Sequence, residues 1–372
     1  MGGESLPDGP GAAVGRGYPA MSDKETAAAS PAQRRLSRRR FIRLALWGGI
    51  GLSTAAVFKV TEPVGPYHFY RWMLRGAQVR RAGAPAVVAL GRCASYRDDV
   101  LGCLREQWAA AAMPDVAGKR VLVKPNLIDF IEGYPITTAP EVVVAVVDLL
   151  RELGAGEVAV GDGSGFRRET RPVAEAGGLA PRLAERRVPF IDLNYDDPAP
   201  VPARDGWFLH ERELWLPRHV READLIVSVP KMKTHHWAGV SLSLKNLFGV
   251  VPGARYGWPK NMLHVNGIPL SILGLHQSVA TVVAVVDGIT GMEGDGPLFG
   301  QPVMHGVLAV GADAAAVDAV CMQAMDIPQV AGDHVRLAGW AGVGQVERLE
   351  VRGAAVDSVV RPYAAPPSMD AG

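Results

Sequence analysis

Cysteine is nearly absent: Cys93, Cys103 and Cys321 are the only three in 372 residues. No C-x-x-C pair occurs, which argues against a cysteine-ligated zinc site and leaves no expectation of an iron–sulfur cluster. Three scattered thiols cannot form a disulfide framework either. Aromatic residues are sparse at 7%, and neither sign of charge dominates, with 39 Lys and Arg against 38 Asp and Glu. No repeat of solenoid length is visible. What is plentiful is glycine (43) and proline (28), which points to many tight turns rather than to long bundled helices. With 48% hydrophobic residues, the chain can fill one large core or two modest ones.

The near-neutral balance hides an asymmetry. Residues 1–60 hold nine Lys and Arg and four acids, so the remainder carries a net charge of −4. A mildly acidic body argues against non-specific binding to nucleic acid. Residues 1–33 are rich in Gly, Ala, Pro and Ser and read as disordered. Next comes Ser37-Arg38-Arg39-Arg40-Phe41-Ile42-Arg43, followed by an uncharged run from Leu44 to Val57. Residues 34–60 resemble a twin-arginine export signal, S-R-R-x-F-L-K, with replacements only at the last two positions. The apolar run has the length of a signal-peptide core and is short for a membrane span. The resemblance implies passage through the twin-arginine translocase to a periplasmic or other extracytoplasmic location. No A-x-A follows the run, so residues 44–57 are also a candidate membrane tether.

Residues 61–85 read as a linker, residues 86–345 as the folded body and residues 346–372 as a C-terminal tail. Within the body, apolar stretches at Ala86–Leu90, Arg120–Lys124, Glu157–Val160, Pro189–Leu193, Leu225–Val229, Val282–Asp287 and Val307–Val310 read as strands. Helical periodicity occupies Tyr96–Ala112, Pro140–Leu153 and Pro172–Glu185. The alternation predicts an α/β fold with a mainly parallel sheet flanked by helices, in two lobes with the site between them. Ligands of such sheets sit beyond the carboxyl ends of the strands.

Several polar motifs occupy that position. Val123-Lys124-Pro125-Asn126 leaves the second strand with a cation and an amide, Lys124 and Asn126. Gly161-Asp162-Gly163-Ser164-Gly165 follows the third; its glycines let backbone N–H groups approach an anion, while Asp162 and Ser164 offer polar side chains. The densest run is Pro230-Lys231-Met232-Lys233-Thr234-His235-His236-Trp237-Ala238-Gly239-Val240-Ser241-Leu242-Ser243-Leu244-Lys245-Asn246. Lysine is rarely buried without a partner, so Lys231, Lys233 and Lys245 would create a positive field that a carboxylate or phosphate relieves. Ser241 and Asn246 are poor choices for a purely structural helix. His264 follows in Lys260-Asn261-Met262-Leu263-His264. Asp287, at a strand end, and Glu293, in a glycine-rich loop, complete the set of candidate ligand-binding residues.

Taken together, V-K-P-N, G-D-G-S-G, P-K-x-K-T-H, S-L-K-N, V-D-G-I…G-M-E-G-x-G-P and G-x-D-x-x-A-V-D resemble the domain-of-unknown-function family 362. A second resemblance carries more chemistry. His235-x-x-Ala238-Gly239-x-Ser241-x-x-x-Lys245, then Pro252-Gly253 and His264, is similar to a stretch of the nickel-pincer lactate racemases. That likeness implies a cofactor tethered to Lys245, a metal ligand at His264 and a proton shuttle at His235. The sequence departs from that pattern where Leu242-Ser243 replace two glycines, and it offers no counterpart for the family's other catalytic histidine.

The expectation is an exported enzyme acting on a small anionic substrate, racemase- or isomerase-like or associated with an oxidoreductase. His235, Lys245 and His264 are its catalytic candidates, and a divalent metal its candidate cofactor. The alternatives are a non-catalytic exported protein that binds an anion or metal, or an accessory protein that matures an exported redox enzyme.

Overall fold

The computed structural model describes residues 83–203, 208 and 211–366. The N-terminal segment, the signal-like run and most of the linker lie outside these residues. The described body is a mixed α/β fold on one ten-stranded sheet. Its strands are β1 (Ala86–Arg92), β2 (Arg120–Pro125), β3 (Glu157–Asp162), β4 (Phe190–Asp192), β7 (Leu225–Val229), β8 (Lys231–His235), β9 (Gly239–Ser241), β10 (Thr281–Glu293), β11 (Gln301–Gly311) and β12 (Leu349–Gly353). The main order is β12-β1-β11-β10-β7-β2-β3-β4, with β8 and β9 branching from β10. Short β5 (Ala199–Pro202) and β6 (Glu213–Leu216) pair apart from it.

Most neighbours run parallel: β4, β3, β2, β7 and β10 follow one another that way. The exceptions are β11, antiparallel to both β10 and β1, and the branching β8 and β9, antiparallel to each other. Alternate side chains of the central strands enter opposite cores, as strand geometry requires. Val121 and Val123 join the core under the helices Val100–Ala110 and Pro140–Glu152, whereas Leu122 faces the other way. That second core packs the helices Ile268–Ser278, Ala314–Ala324 and Asp333–Ala341. Burial on both faces explains why the strands are near-continuous runs of Val, Leu and Ile.

The boundaries have local causes. Asp99 caps the first described helix by accepting from Gly102 N, so that helix starts at Val100 rather than at Tyr96. The periodic stretch after Arg171 splits into two helices at Gly177-Gly178, where Gly178 adopts φ 75°. Beyond residue 345 the chain adds β12 beside β1, and Tyr363 is buried. The sheet is continuous, and the largely polar cleft motifs gather at the carboxyl ends of its strands rather than between two lobes.

Candidate functional site

A cavity of about 280 Å³ opens at the carboxyl ends of β2 and β3. Its lining includes nine of the residues singled out by sequence: Lys124, Asn126, Asp162, Ser164, His235, Ser241, Lys245, Asn246 and His264. Leu127, Ile128, Phe248, Pro259, Pro297 and Leu298 supply apolar wall. Lys231, Lys233, Asp287 and Glu293 do not line it.

The hydrogen bonds of the lining divide it into a floor and groups free to meet a ligand. Lys124 Nζ donates to Asp162 Oδ1 at 2.5 Å, Pro125 O at 2.9 Å and Asn246 Oδ1 at 3.1 Å, which uses all three of its protons. Asp162 also accepts from Gly163 N and Leu127 N. Asn246 Nδ2 donates to Lys124 O and Ser228 Oγ. The Ser164 hydroxyl donates to Ile128 O and accepts from Phe166 N and Arg167 N. These four residues form a satisfied floor; the sequence had placed them against a ligand. Gly249 passes directly over the Lys124–Asp162 pair, where any side chain would collide with both partners.

Lys260 is a second buried amine, lowered to about 7 by burial, which the sequence reading passed over in favour of His264. Its Nζ donates to Gly163 O, Asn194 Oδ1 and Val251 O, and its backbone is left-handed at φ 69°. A bulky residue held there by three neutral acceptors secures the cavity wall.

Five groups remain open. Among the described residues Lys245 Nζ has no hydrogen-bonding or carboxylate partner; it sits 3.9 Å from the centroid of the Phe248 ring. Burial, and then the Lys124 charge, lower this amine to about 7. Asn126 Oδ1 is buried without a partner, a position that a hydroxyl or ammonium on a ligand would fill. Ser241 Oγ makes no bond within the described residues. The last two are histidines whose tautomers the backbone fixes. His235 Nδ1 accepts from Trp237 N at 3.0 Å and Ala238 N at 3.2 Å. Two N–H donors require a lone pair on Nδ1, so the ring proton is on Nε2. Burial, with the nearby Lys245 charge, holds the ring well below the usual histidine range and therefore neutral. His264 is the converse: its Nδ1 lies 3.2 Å from Lys260 O, which can only accept, so Nδ1 carries the proton and Nε2 the lone pair. Ring contacts join His235, His236, Trp237, His264 and Phe248 in a chain with centroid separations of 4.8–5.8 Å.

The other candidates serve the fold. Lys231 Nζ pairs with Asp287 Oδ2 at 2.5 Å and donates to the Tyr96 hydroxyl at 2.8 Å. Asp287 is completed by Tyr96, Ala139 N and Ile289 N. Lys233 Nζ donates to Ile136 O, and burial together with the Lys231 charge keeps it well below the ordinary lysine range. Glu293 accepts from Ala364 N. Sequence reasoning also missed His334, buried in the helix Asp333–Ala341 with Nε2 unpartnered; burial and the Lys245 charge lower it to about 3. An isolated histidine far along the chain gives no signal of that proximity.

A metal held by side chains is not supported, since no three His, Cys, Asp or Glu residues cluster to hold one among the described residues. The nickel-pincer scheme is not reproduced either. His235, its implied proton shuttle, has Nδ1 engaged by two backbone N–H groups, so Nε2–H is its working atom, a donor rather than a base. Leu242 and Ser243, which replace its two glycines, are fully buried, with Ser243 N fixed by Asp318.

Residues 121–323 match the family model described as a domain of unknown function, DUF362, over more than half of the chain. The chain belongs to the DUF362 family. A thylakoid-associated protein of Synechocystis sp. (strain ATCC 27184 / PCC 6803 / Kazusa) is 32% identical over 210 residues, covering 55% of this chain and 62% of that protein. The match therefore spans less than two thirds of the relative. Two solved structures are more distant. The lactate racemase apoprotein of Thermoanaerobacterium thermosaccharolyticum is 16% identical with a TM-score of 0.41, covering 67% of this chain and 58% of its own. A Thermotoga maritima protein is 14% identical with a TM-score of 0.34, covering 62% and 58%. In this DUF362 chain the cavity-lining residues from Lys124 to His264 all lie inside the matched segment.

Proposed function

We propose that this DUF362 protein is an enzyme that binds a small carboxylate or phosphate at Lys245 and transfers a proton within the cavity. The observation that carries the reading is the complementary pair of histidines. His264 offers a lone pair on Nε2 and acts as base; His235 offers N–H on Nε2 and stabilises the oxygen on which negative charge develops. Lys245, with no carboxylate to neutralise it, attracts the anion, and Ser241 donates a further hydrogen bond. The apolar wall limits water and strengthens both effects. Proton exchange into solvent deuterium by a panel of 2-hydroxy and 2-oxo carboxylates tests the reading. Exchange that needs both His264 and His235 supports it; exchange that survives His264→Gln and His235→Gln together refutes it.

We also infer export by the twin-arginine route, supported by Ser37–Arg43 and the uncharged run after it. A relative named for its association with thylakoids favours a membrane-linked place. Replacing Arg38 and Arg39 by lysine in a tagged full chain is expected to leave it in the cytoplasm; unchanged fractionation would end this part of the proposal.

A further inference from the structure

The cavity is larger and more apolar than a three-carbon acid requires. Its volume of about 280 Å³ equals that of roughly nine waters. Of the lysines that line it, Lys124 is paired with Asp162 and Lys260 is engaged by three neutral acceptors, which leaves Lys245 as the open one, whereas most of the exposed wall is hydrocarbon. Two wall residues are also oddly exposed for their type: Phe166 is 56% and Trp237 64% accessible, although both line the cavity. They therefore stand at its mouth. Outside it, the loop after β2 exposes Phe130, Ile131 and Tyr134, and Phe299 follows the wall residue Leu298. These six account for over half of the eleven large apolar side chains exposed among the described residues. Scattered surface apolars are ordinary; a concentration of them on the loops framing one cavity marks a binding surface.

We infer that the cavity takes an amphipathic anion, with its carboxylate or phosphate head at Lys245 and an apolar chain or ring leaving between Phe166 and Trp237. This rests on the anion reading above and names its ligand class. A free alkanoate and a bilayer lipid share this chemistry.

Calorimetric titration of the full chain with acetate, butanoate, hexanoate and octanoate tests the inference. Affinity rises about fourfold for each methylene that enters the cavity. Lys245→Met abolishes the preference for octanoate over octanamide while keeping the gain with length. Phe166→Ser combined with Trp237→Ser flattens the series; both side chains are surface-exposed, so folding tolerates the change. Acetate binding that fails to tighten with length overturns the amphipathic ligand and leaves the anion reading intact. Octanamide binding as tightly as octanoate overturns both. Vesicles of phosphatidylcholine with one-fifth phosphatidic acid separate the sources. If the fluorescence difference between wild type and Trp237→Phe is quenched by brominated lipid chains, the ligand comes from a bilayer; if it is not, while octanoate binds, the ligand is a free amphiphile.

Discussion

Anion affinity in this cavity is expected to depend on pH through one amine. Lys245 is brought to about 7 by burial and by the Lys124 charge, and only its protonated form attracts an anion. The groups around it leave it as the principal titrating cation that meets a ligand. Lys124 is neutralised by Asp162, Lys233 donates to a carbonyl, and burial holds His235 and His334 neutral and lowers His264. Burial also brings Lys260 to about 7, but its ammonium is turned to Gly163 O, Asn194 Oδ1 and Val251 O rather than to a ligand, so a slope that remains in Lys245→Met would be its own. Acetate remains ionised between pH 6 and 9, so its own titration does not intrude. With the amine at about 7, its charged fraction in the free protein falls about tenfold from pH 6 to pH 8, a loss of ~1.4 kcal/mol in binding. The sign follows from linkage: the bound anion favours the ammonium, so binding takes up a proton above pH 7 and weakens as pH rises. Titration calorimetry in two buffers of different ionisation enthalpy reads both the affinity and the proton uptake. Lys245→Arg should bind with a flat profile, since guanidinium keeps its charge throughout. A flat wild-type profile from pH 6 to 9, or a slope that persists in Lys245→Met, would refute the assignment.

Other outcomes follow from the buried networks. Gly249→Ala places a methyl against Asp162 and Lys124; separating a buried pair costs ~3–5 kcal/mol, read as a lower denaturation midpoint, and an unchanged midpoint would mean that the loop yields. Tyr96→Phe removes the hydroxyl shared by Lys231, Asp287 and Thr290 N and should cost ~1–3 kcal/mol; acetate affinity is expected to stay within about twofold, because none of these residues lines the cavity. Asp318 accepts from Ser243 N and Leu244 N, and burial raises it to about 7. The fold then retains a proton that the unfolded chain releases, so its stability falls as pH climbs from 4 toward 7. Asp318→Asn should therefore cost less at pH 8 than at pH 5 in urea unfolding, and the opposite order would contradict this sign.

The strands were legible because two-sided burial writes them as unbroken apolar runs; β7 was read to the residue. β8 carried no strand signal. Lys-Met-Lys-Thr-His reads as a polar loop, yet all five residues are buried, since their heads find Asp287, Ile136 O, Gly294 O and backbone N–H groups instead of water. Sequence placed the lysines together but could not tell a paired one from an open one. That distinction depends on Asp162 meeting Lys124 across 38 positions and Asp287 meeting Lys231 across 56. The histidine tautomers were beyond reach for the same reason, being set by the turn at Trp237-Ala238 and by the carbonyl of Lys260.

The network around Lys124 also has a kinetic consequence. Beyond the backbone ladders, Lys124, Asp162, Ser228 and Asn246 tie β2, β3, β7 and the helix Ser243–Asn246 to one another through their side chains. Opening the cavity floor means parting three adjacent strands of the parallel half of the sheet, so the amides of Leu127 and Gly163, both bonded to Asp162, should exchange with solvent as slowly as the whole domain unfolds. Breathing is left to the rim, where Trp237 and Phe166 can swing aside while the charges beneath them stay still.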